Sequence, residues 1–421
     1  MNRPVRVLIL AGEASGDLYG GLLMRAMGAR VARPGQASSL QFTGAGGPTM
    51  QEAGLQPLGD AASMGVTGVL EVLLRLPAIW RVFTRARRSL SDARTRPDLA
   101  ILIDYPDFNL RLARVARQEG VPVLYVVSPQ IWAWRRGRLR QIAERVDRML
   151  VILPFEEEIY RRAGVPVEFV GHPLLDLVRP ERSREQTLSP LGLDARRPTV
   201  ALLPGSRGNE LRAHLPAMSE AALILRDEFR DLQFLIPVAP TFRSGEVESL
   251  LRGDRASVGT GAGRPGGRPW VLVRDGRYDA VAASDAAVVA SGTATLETAL
   301  LGVPMVIVYR MNPITYALAR AVSKIQHIGM PNLIAGDRIV PELVQGACRP
   351  ERIAQEIRRL LTDRQAASQM RRDLAGVRSR LGRPGAIERM AAAAWDMIGS
   401  RRNQQAAGKM DGSTAGGRPF S

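Results

Sequence analysis

Asp104 opens the segment Asp104-Tyr105-Pro106-Asp107-Phe108-Asn109, directly after the apolar run Leu99–Ile103. A carboxylate at the carboxyl end of a buried strand is well placed to take a proton from a substrate hydroxyl. Asp107 and Asn109 read instead as caps of the following helix. A second carboxylate, Glu13, sits in the turn Ala11–Asp17 after the run Val5–Ala11. That turn is not G-x-G-x-x-G, so it makes a weak case for a dinucleotide. Asp17 reads as a favourable charge at a helix start. The loop Pro204-Gly205-Ser206-Arg207 follows a strand and opens a helix. Gly205 lets the backbone approach a ligand, and Ser206 is a candidate cap. Helix-start N–H groups attract an anion, and Arg207 adds a two-pronged fork for phosphate. A plain strand-to-helix turn with a surface arginine is the competing reading. The loop Ser291-Gly292-Thr293-Ala294-Thr295, with Glu297 beyond it, repeats the arrangement. A closely packed helix start explains its small residues equally well.

Two further stretches mix apolar and basic residues. Ser128–Arg140 holds Trp132 and Trp134 beside arginines, able to stack on a base, bind phosphate or sit at lipid headgroups. Met64–Leu90 carries Met64, Val66, Val69, Leu70, Leu73, Leu76 and Trp80, leading into Arg81, Arg85, Arg87 and Arg88. That pattern fits an interfacial membrane helix. An ordinary core helix with a solvated end fits it better on pattern alone. Pro77 is expected to kink or divide the segment.

The elements that must position these residues follow from periodicity. Short apolar, β-branched runs alternate with helical patterns, which predicts parallel sheets covered on both faces. The series pauses at a polar, proline-bearing stretch and restarts at Thr199. The fold class is therefore α/β: two Rossmann-like, doubly wound units. Residues 1–180 form one, 181–198 a linker, and 199–375 the other. A C-terminal helix over 376–400 and a disordered tail over 401–421 complete the expectation. The Gly/Arg-rich stretch Gly259–Arg268 reads as a flexible loop.

Composition excludes several classes. One cysteine among 421 residues rules out a disulfide framework. The three histidines lie far apart, with no metal-ligand spacing. No segment reaches the roughly 20 apolar residues that span a bilayer, and no signal peptide is evident. The formal charge of +17 points to nucleic acid, an anionic membrane or a phosphorylated substrate. An arginine-rich codon preference is the bland alternative. No nucleic-acid motif accompanies the basic patch.

Taken in order, these segments resemble the lipid-A-disaccharide synthases, bacterial glycosyltransferases of the GT-B type (family 19). The matching stretches are Ala11–Asp17, Gly44–Gly54, Met64–Leu73, Asp104–Asn109, Ser128–Arg135, Leu153–Glu156, Val170–Asp176, Leu203–Glu210, Ser291–Glu297, Tyr309–Pro313 and Pro331–Gly336. Any one of them is weak, while the ordered set covers most of the chain. The Gly/Arg-rich loop and the tail depart from the pattern and lie outside the motifs. The resemblance implies a GT-B fold with two domains facing a central cleft. It implies an inverting transfer of diacylglucosamine from UDP-2,3-diacylglucosamine to 2,3-diacylglucosamine 1-phosphate (lipid X), giving a disaccharide 1-phosphate and UDP. Asp104 would be the base, with Glu13 the alternative. Gly205, Ser206, Arg207, Ser291, Gly292, Thr293, Ala294 and Thr295 would hold the diphosphate, and Glu297 the ribose. Arg310 and Asn332 would contact the donor or close the lobes. No metal or other cofactor is implied. Met64–Leu90 would line an acyl groove or rest on the inner leaflet of a peripheral, cytoplasmic enzyme. Nucleic acid is not an expected partner, and a homodimer is left open. The competing functions are another enzyme of the same fold, such as a UDP-sugar 2-epimerase, and a non-catalytic basic membrane-binding protein.

Overall fold

A computed structural model describes residues 3–31, 39–59, 69–129, 137–239, 241–242, 245–253, 270–322 and 326–414. The side chains of 69–75 and 405–414 and a few within 314–322 are outside that description. The chain divides into two compact units, Met1–Pro173 with Arg383–Ser421, and Leu174–Gly382.

The first unit is built on seven parallel strands: β1 (Val5–Ala11), β2 (Leu40–Ala45), β3 (Leu55–Pro57), β4 (Leu99–Ile103), β5 (Val123–Val126), β6 (Arg148–Val151) and β7 (Val167–Phe169). Their order is β3-β2-β1-β4-β5-β6-β7. Every residue of β4 and β5 is buried, as continuous apolar runs must be when helices cover both faces. The chain winds outward from β1 in one direction and from β4 in the other. β1 and β4 are neighbours, with Ala11 beside Ile103 at their ends. Their carboxyl ends therefore mark the switch point where such sheets bind ligands.

The helix Val69–Ser91 buries Val82, Ala86 and Leu90, a stripe with a spacing of four. Pro77 lies inside it, and the helix is not divided there. The helix Ala386–Thr414 packs on the first unit against the helix Ala14–Val31. The Trp395 indole N–H donates to Met27 O (3.3 Å), and Arg389 Nε donates to Val170 O (2.9 Å). Arg401 reaches the carbonyls of Pro97 and Asp98, and Arg402 reaches the Asp98 carboxylate. Asp98 has no solvent exposure and also accepts from Arg3 and from the Arg6 N–H. The C-terminal helix expected over 376–400 is thus divided: 376–380 end the helix Arg364–Arg380 of the second unit, and 386–400 belong to the helix Ala386–Thr414 of the first. The latter helix continues through Thr414 rather than giving way at 401 to a disordered tail.

The second unit has six parallel strands: β8 (Thr199–Leu203), β9 (Gln233–Pro237), β10 (Trp270–Val273), β11 (Ala286–Ala290), β12 (Met305–Tyr309) and β13 (Glu342–Val344). Their order is β10-β9-β8-β11-β12-β13, so β8 and β11 flank its switch point. Residues 181–198, expected as a linker, are folded into this unit. They carry the helix Arg184–Leu188, started by a Ser183–Gln186 capping box. Arg184 donates to the carbonyls of Ala195, Arg197 and Ala283 and pairs with Asp285. The buried Asp279 accepts from the N–H groups of Glu181 and Arg182. A polar stretch read as a spacer is polar because its charges are spent on backbone groups.

Candidate functional site

In the first unit, the loops after β1 and β4 meet at the switch point. Asp104 and Tyr105 adopt successive left-handed conformations, with φ of 45° and 46°. For residues other than glycine this costs on the order of 1–3 kcal/mol each, so surrounding contacts must impose it. The Asp104 N–H donates to Val126 O at 3.0 Å. Its carbonyl accepts from the Tyr125 hydroxyl (2.6 Å) and from Asn109 Nδ2 (2.7 Å). Asn109 Nδ2 also reaches Ile103 O, so one buried amide holds the end of β4. Asn109 is therefore a clamp rather than the helix cap the sequence suggested. The N-cap residue is Tyr105, which makes no side-chain cap bond, and Asp107 pairs with Arg138. The Tyr105 ring lies directly over Gly12, where a Cβ would stand 2.3 Å from Tyr105 Cγ.

This turn leaves the Asp104 carboxyl half-buried near Glu13, which is exposed. Burial first, and then the Glu13 negative charge, raise the Asp104 pKa to about 6, against a smaller opposing hydrogen bond from the Tyr105 N–H. The pair identified from sequence is thus one electrostatic unit. Asp17 is different. It is buried, and its two oxygens accept from the N–H groups of Thr49 and Met50, both at 3.0 Å. It caps the helix Pro48–Glu52, whose N-cap Gly47 has no side chain to do so.

In the second unit, Gly205 has φ of +119°, and a Cβ there would strike Glu210. Glu210 folds back into the loop, and its Oε2 accepts from the Ser206 N–H at 2.9 Å. That N–H is therefore spent on a carboxylate, at the spot where an anion was expected. Ser206 does not cap the helix Gly208–Glu228; the N-cap residue is Arg207, and the cap carries no side-chain bond. The Arg207 guanidinium is half-exposed and makes one long contact with Glu210, at 3.4 Å.

Beside it, Gly292 (φ +151°) leads into the helix Thr293–Leu300. Gly292 and Thr293 are exposed, Ala294 is half-buried, and the helix start can receive an anion. Thr295 is fully buried and donates its hydroxyl to Gly292 O (2.7 Å), and Ser291 donates to Ile328 O. Both hydroxyls thus fix the turn. Glu297 Oε1 accepts from Arg277 (2.7 Å) and from the Tyr278 hydroxyl (2.9 Å). The Arg277 guanidinium also lies 4.6 Å from the centre of the Tyr278 ring.

Sequence reasoning missed Arg277 and Tyr278, because their motif-free stretch shows nothing until the strands bring it to Glu297. It also missed His214. Its Nδ1 is 3.0 Å from Pro204 O, and its Nε2 accepts from the Arg310 N–H at 2.9 Å. That pattern requires a neutral ring with the proton on Nδ1. Burial holds the His214 pKa below its ordinary value, consistent with that form. The imidazole ties the loop after β8 to the loop after β12.

Arg310 spends part of its guanidinium on Cys348 O. Asn332 has no exposure: its Nδ2 donates to Val340 O and Glu342 Oε1, and its Oδ1 accepts from the Val340 N–H, each at 2.8 Å. It therefore braces the loop before β13, and a donor would reach it only by breaking those bonds. Met64, Val66, Trp132, Trp134 and the Gly/Arg-rich loop lie outside the described residues, as do the side chains of Val69, Leu70 and Leu73. Leu76 and Trp80 are exposed, at 47% and 63%. Among the described residues no His, Cys, Asp and Glu cluster could hold a metal ion.

The family model for lipid-A-disaccharide synthetase matches residues 7–395. The chain is 49% identical to a lipid-A-disaccharide synthase of Syntrophus aciditrophicus over 392 residues, covering 93% of this chain and 97% of that protein. It is 45% identical to the Geobacter sulfurreducens lipid-A-disaccharide synthase over 400 residues, covering 95% and 99%. Among solved structures, MurG of Acinetobacter baumannii aligns with a TM-score of 0.54 at 15% identity, covering 93% of this chain and all of that one (100%). A UDP-GlcNAc 2-epimerase of Neisseria meningitidis aligns at 0.52 and 12% identity, covering 90% and 97%. At such identities these two show the GT-B fold alone.

The contact between Gly12 and the Tyr105 ring gives a direct test. Gly12→Ala is expected to destabilise the first unit by roughly 1–3 kcal/mol, the usual cost of overpacking. Adding Tyr105→Ala removes the clash, so the double variant should be less destabilised than the two single changes summed. Urea denaturation measures this; an undisturbed Gly12→Ala midpoint would refute the assigned packing.

Proposed function

The chain belongs to the lipid-A-disaccharide synthase family and is a glycosyltransferase of lipid A biosynthesis, and from that premise we propose that Asp104 is the base that activates the acceptor. The substrates proposed are UDP-2,3-diacylglucosamine as donor and 2,3-diacylglucosamine 1-phosphate as acceptor. The acceptor's 6-hydroxyl oxygen bonds to the donor's anomeric carbon while the bond from that carbon to the diphosphate oxygen breaks. The hydroxyl proton goes to Asp104, and UDP leaves with the electron pair. One displacement inverts the anomeric centre.

The observation that carries the assignment is the Asp104 carboxyl itself. It stands at the first sheet's switch point in an imposed conformation, with its pKa raised to about 6. A base with a pKa near the working pH combines a large ionised fraction with a useful proton affinity. Glu13 raises that affinity through its charge, which supports a tuning role for Glu13. On the second unit, the half-exposed Arg207 and the helix start at Thr293 and Ala294 are the groups suited to the departing diphosphate. The Ser206 N–H joins them only if Glu210 turns away. Glu297, positioned by Arg277 and Tyr278, retains Oε2 for a ribose hydroxyl.

We also place the enzyme at the inner membrane surface as a peripheral protein. Leu76 and Trp80 lie four residues apart on one exposed helix face, and Trp80 stacks on Phe83 at 5.7 Å. An exposed tryptophan supported from beneath suits a headgroup layer. No described helix is long and apolar enough to cross a membrane.

Asp104→Asn should lower turnover by roughly 10²–10⁴-fold, the usual contribution of a general base, and leave UDP affinity unchanged. In the parent, kcat/KM should rise through pH 6 as Asp104 ionises and then level off. Glu13→Gln removes the neighbouring charge, so Asp104 should ionise at lower pH and the rising limb should shift down. A dead Glu13→Gln enzyme beside an active Asp104→Asn enzyme would exchange the two roles. Separately, Arg207→Ala should weaken UDP binding about tenfold or more, as expected for lost charge-assisted hydrogen bonds. Calorimetry with UDP checks this, and unchanged affinity would remove Arg207 from the diphosphate site.

A further inference from the structure

The helix Pro106–Gln118 begins immediately after Asp104 and Tyr105, and the helix Arg138–Arg145 packs beside it. Between them lies a groove of about 510 Å3, lined chiefly by Asp107, Arg111, Arg114, Arg138, Gln141 and Arg145. Four guanidinium groups face one carboxylate. Asp107 pairs with Arg138, and Arg145 donates to Leu110 O and Gln141 Oε1. Arg111 and Arg114 are exposed, and no acceptor reaches either one among the described residues. They lie three residues apart, on one face of their helix. Two unpaired guanidinium groups at the rim of an arginine-lined groove form a fork for a compact, multiply charged oxyanion.

The surroundings narrow the ligand. Successive crossovers β3 to β4, β4 to β5 and β5 to β6 run in the same direction across the sheet. Right-handed crossovers therefore put the helices Val69–Ser91, Pro106–Gln118 and Arg138–Arg145 on one face. The exposed Leu76 and Trp80 belong to the first of these, which packs against the second. An apolar exposed surface and an arginine groove thus share one face of one unit. That combination suits a phosphate carried on a lipid rather than a free anion.

A contrast comes from the second unit, where a comparable arginine-lined cavity includes Arg184, Arg196, Arg197, Arg364 and Arg371. There Arg184 is consumed by carbonyls and Asp285, and Arg196 and Arg197 pair with Asp194, which leaves only Arg364 and Arg371 without a partner among the described residues. That cavity also adjoins Pro198 and Asp285, at the amino ends of β8 and β11, away from the ligand-binding edge.

We propose that the groove bordered by Arg111, Arg114, Arg138 and Arg145 binds the phosphate of a lipid, held chiefly by Arg111 and Arg114. The lipid is either the acceptor, through its 1-phosphate, or a phospholipid of the supporting bilayer. The acceptor arm rests on the function proposed above; the bilayer arm does not.

The test compares the full-length parent with Arg111→Ala/Arg114→Ala and with the conservative Arg111→Lys/Arg114→Lys. Arg364→Ala/Arg371→Ala serves as a control that loses the same formal charge elsewhere. One arm measures kinetics in detergent micelles with both substrates. The other measures co-sedimentation with phosphatidylglycerol vesicles and with phosphatidylcholine vesicles. If the acceptor phosphate is the ligand, the alanine pair raises the acceptor KM about tenfold or more, as expected for lost charge-assisted bonds, with donor KM unchanged. If the bilayer supplies the phosphate, the pair loses binding to phosphatidylglycerol vesicles while acceptor KM holds. In either case lysine restores only part of the effect, because it lacks the fork, and the control pair behaves as the parent does. The proposal is overturned if the alanine pair changes neither readout, or if the control pair changes them equally. A parent that makes no disaccharide from these substrates would instead overturn the proposed function, and the vesicle arm would still report on the groove.

Discussion

The turn at Asp104-Tyr105 is the constraint on which the first half-site depends. Two successive left-handed residues without glycine are unfavourable, so the fold must impose them. Asn109 grips two carbonyls from within the next helix, Tyr125 grips one from the neighbouring strand, and the Tyr105 ring occupies the space above Gly12. These partners come from the loop after β1, from β5 and from the helix after β4. The turn is thus stable only once the sheet has formed. In exchange the Asp104 carboxyl is held half-buried beside Glu13, where an unconstrained aspartate would turn to water and keep an ordinary pKa.

The second unit reaches a comparable result by different means. Its switch-point loops use glycines with positive φ, so no side chain is strained. Rigidity comes instead from polar bridges. His214 joins the loop after β8 to the loop after β12 through both ring nitrogens. Arg277 and Tyr278 fix Glu297, and Glu342 gathers the N–H groups of Ile328 and Gly329 with the Asn332 amide. A neutral imidazole suits such a bridge: protonated, it would present two donors, and the Arg310 N–H would lose its acceptor.

Much of this was legible in the sequence, because a parallel sheet writes its strands as continuous apolar runs and its ligand loops directly after them. The strands other than the three-residue edge strands β3 and β13, the two units and the four switch-point loops follow from that grammar. Residue roles within the loops were less legible. Asn109 looks like a cap, yet at the fourth position of its helix it reaches back to β4. Asn332 looks like a donor contact in a loop motif, yet it is sealed beneath Val340 and Glu342. Residues 181–198 look like a spacer because Arg184 reaches Ala283 and Asp285, and the Glu181 and Arg182 N–H groups reach Asp279, only across long stretches of chain, beyond the reach of local pattern. Pro77 looks like a break, but its helix already has a packed stripe at Val82, Ala86 and Leu90 to hold it.

The large positive charge resolves differently once its arginines are followed to their partners. Helix ends leave carbonyls without intrahelical donors, and a cation there also meets the negative end of the helix dipole. Arg96 donates to the carbonyls of Leu90 and Ser91 at the end of one helix. Arg378 does the same at Leu300, Arg380 at Ile334 and Ala335, and Arg184 beside Ala283. Arg389, Arg401 and Arg402 attach the last helix to backbone carbonyls of the first unit. These arginines are bracing, and their charge is a by-product of a five-donor fork that no other side chain offers. Net charge therefore argues poorly for an anionic ligand in this protein. An arginine counts as a binding group where its donors are not already spent, a criterion that Arg111, Arg114 and the loosely held Arg207 meet.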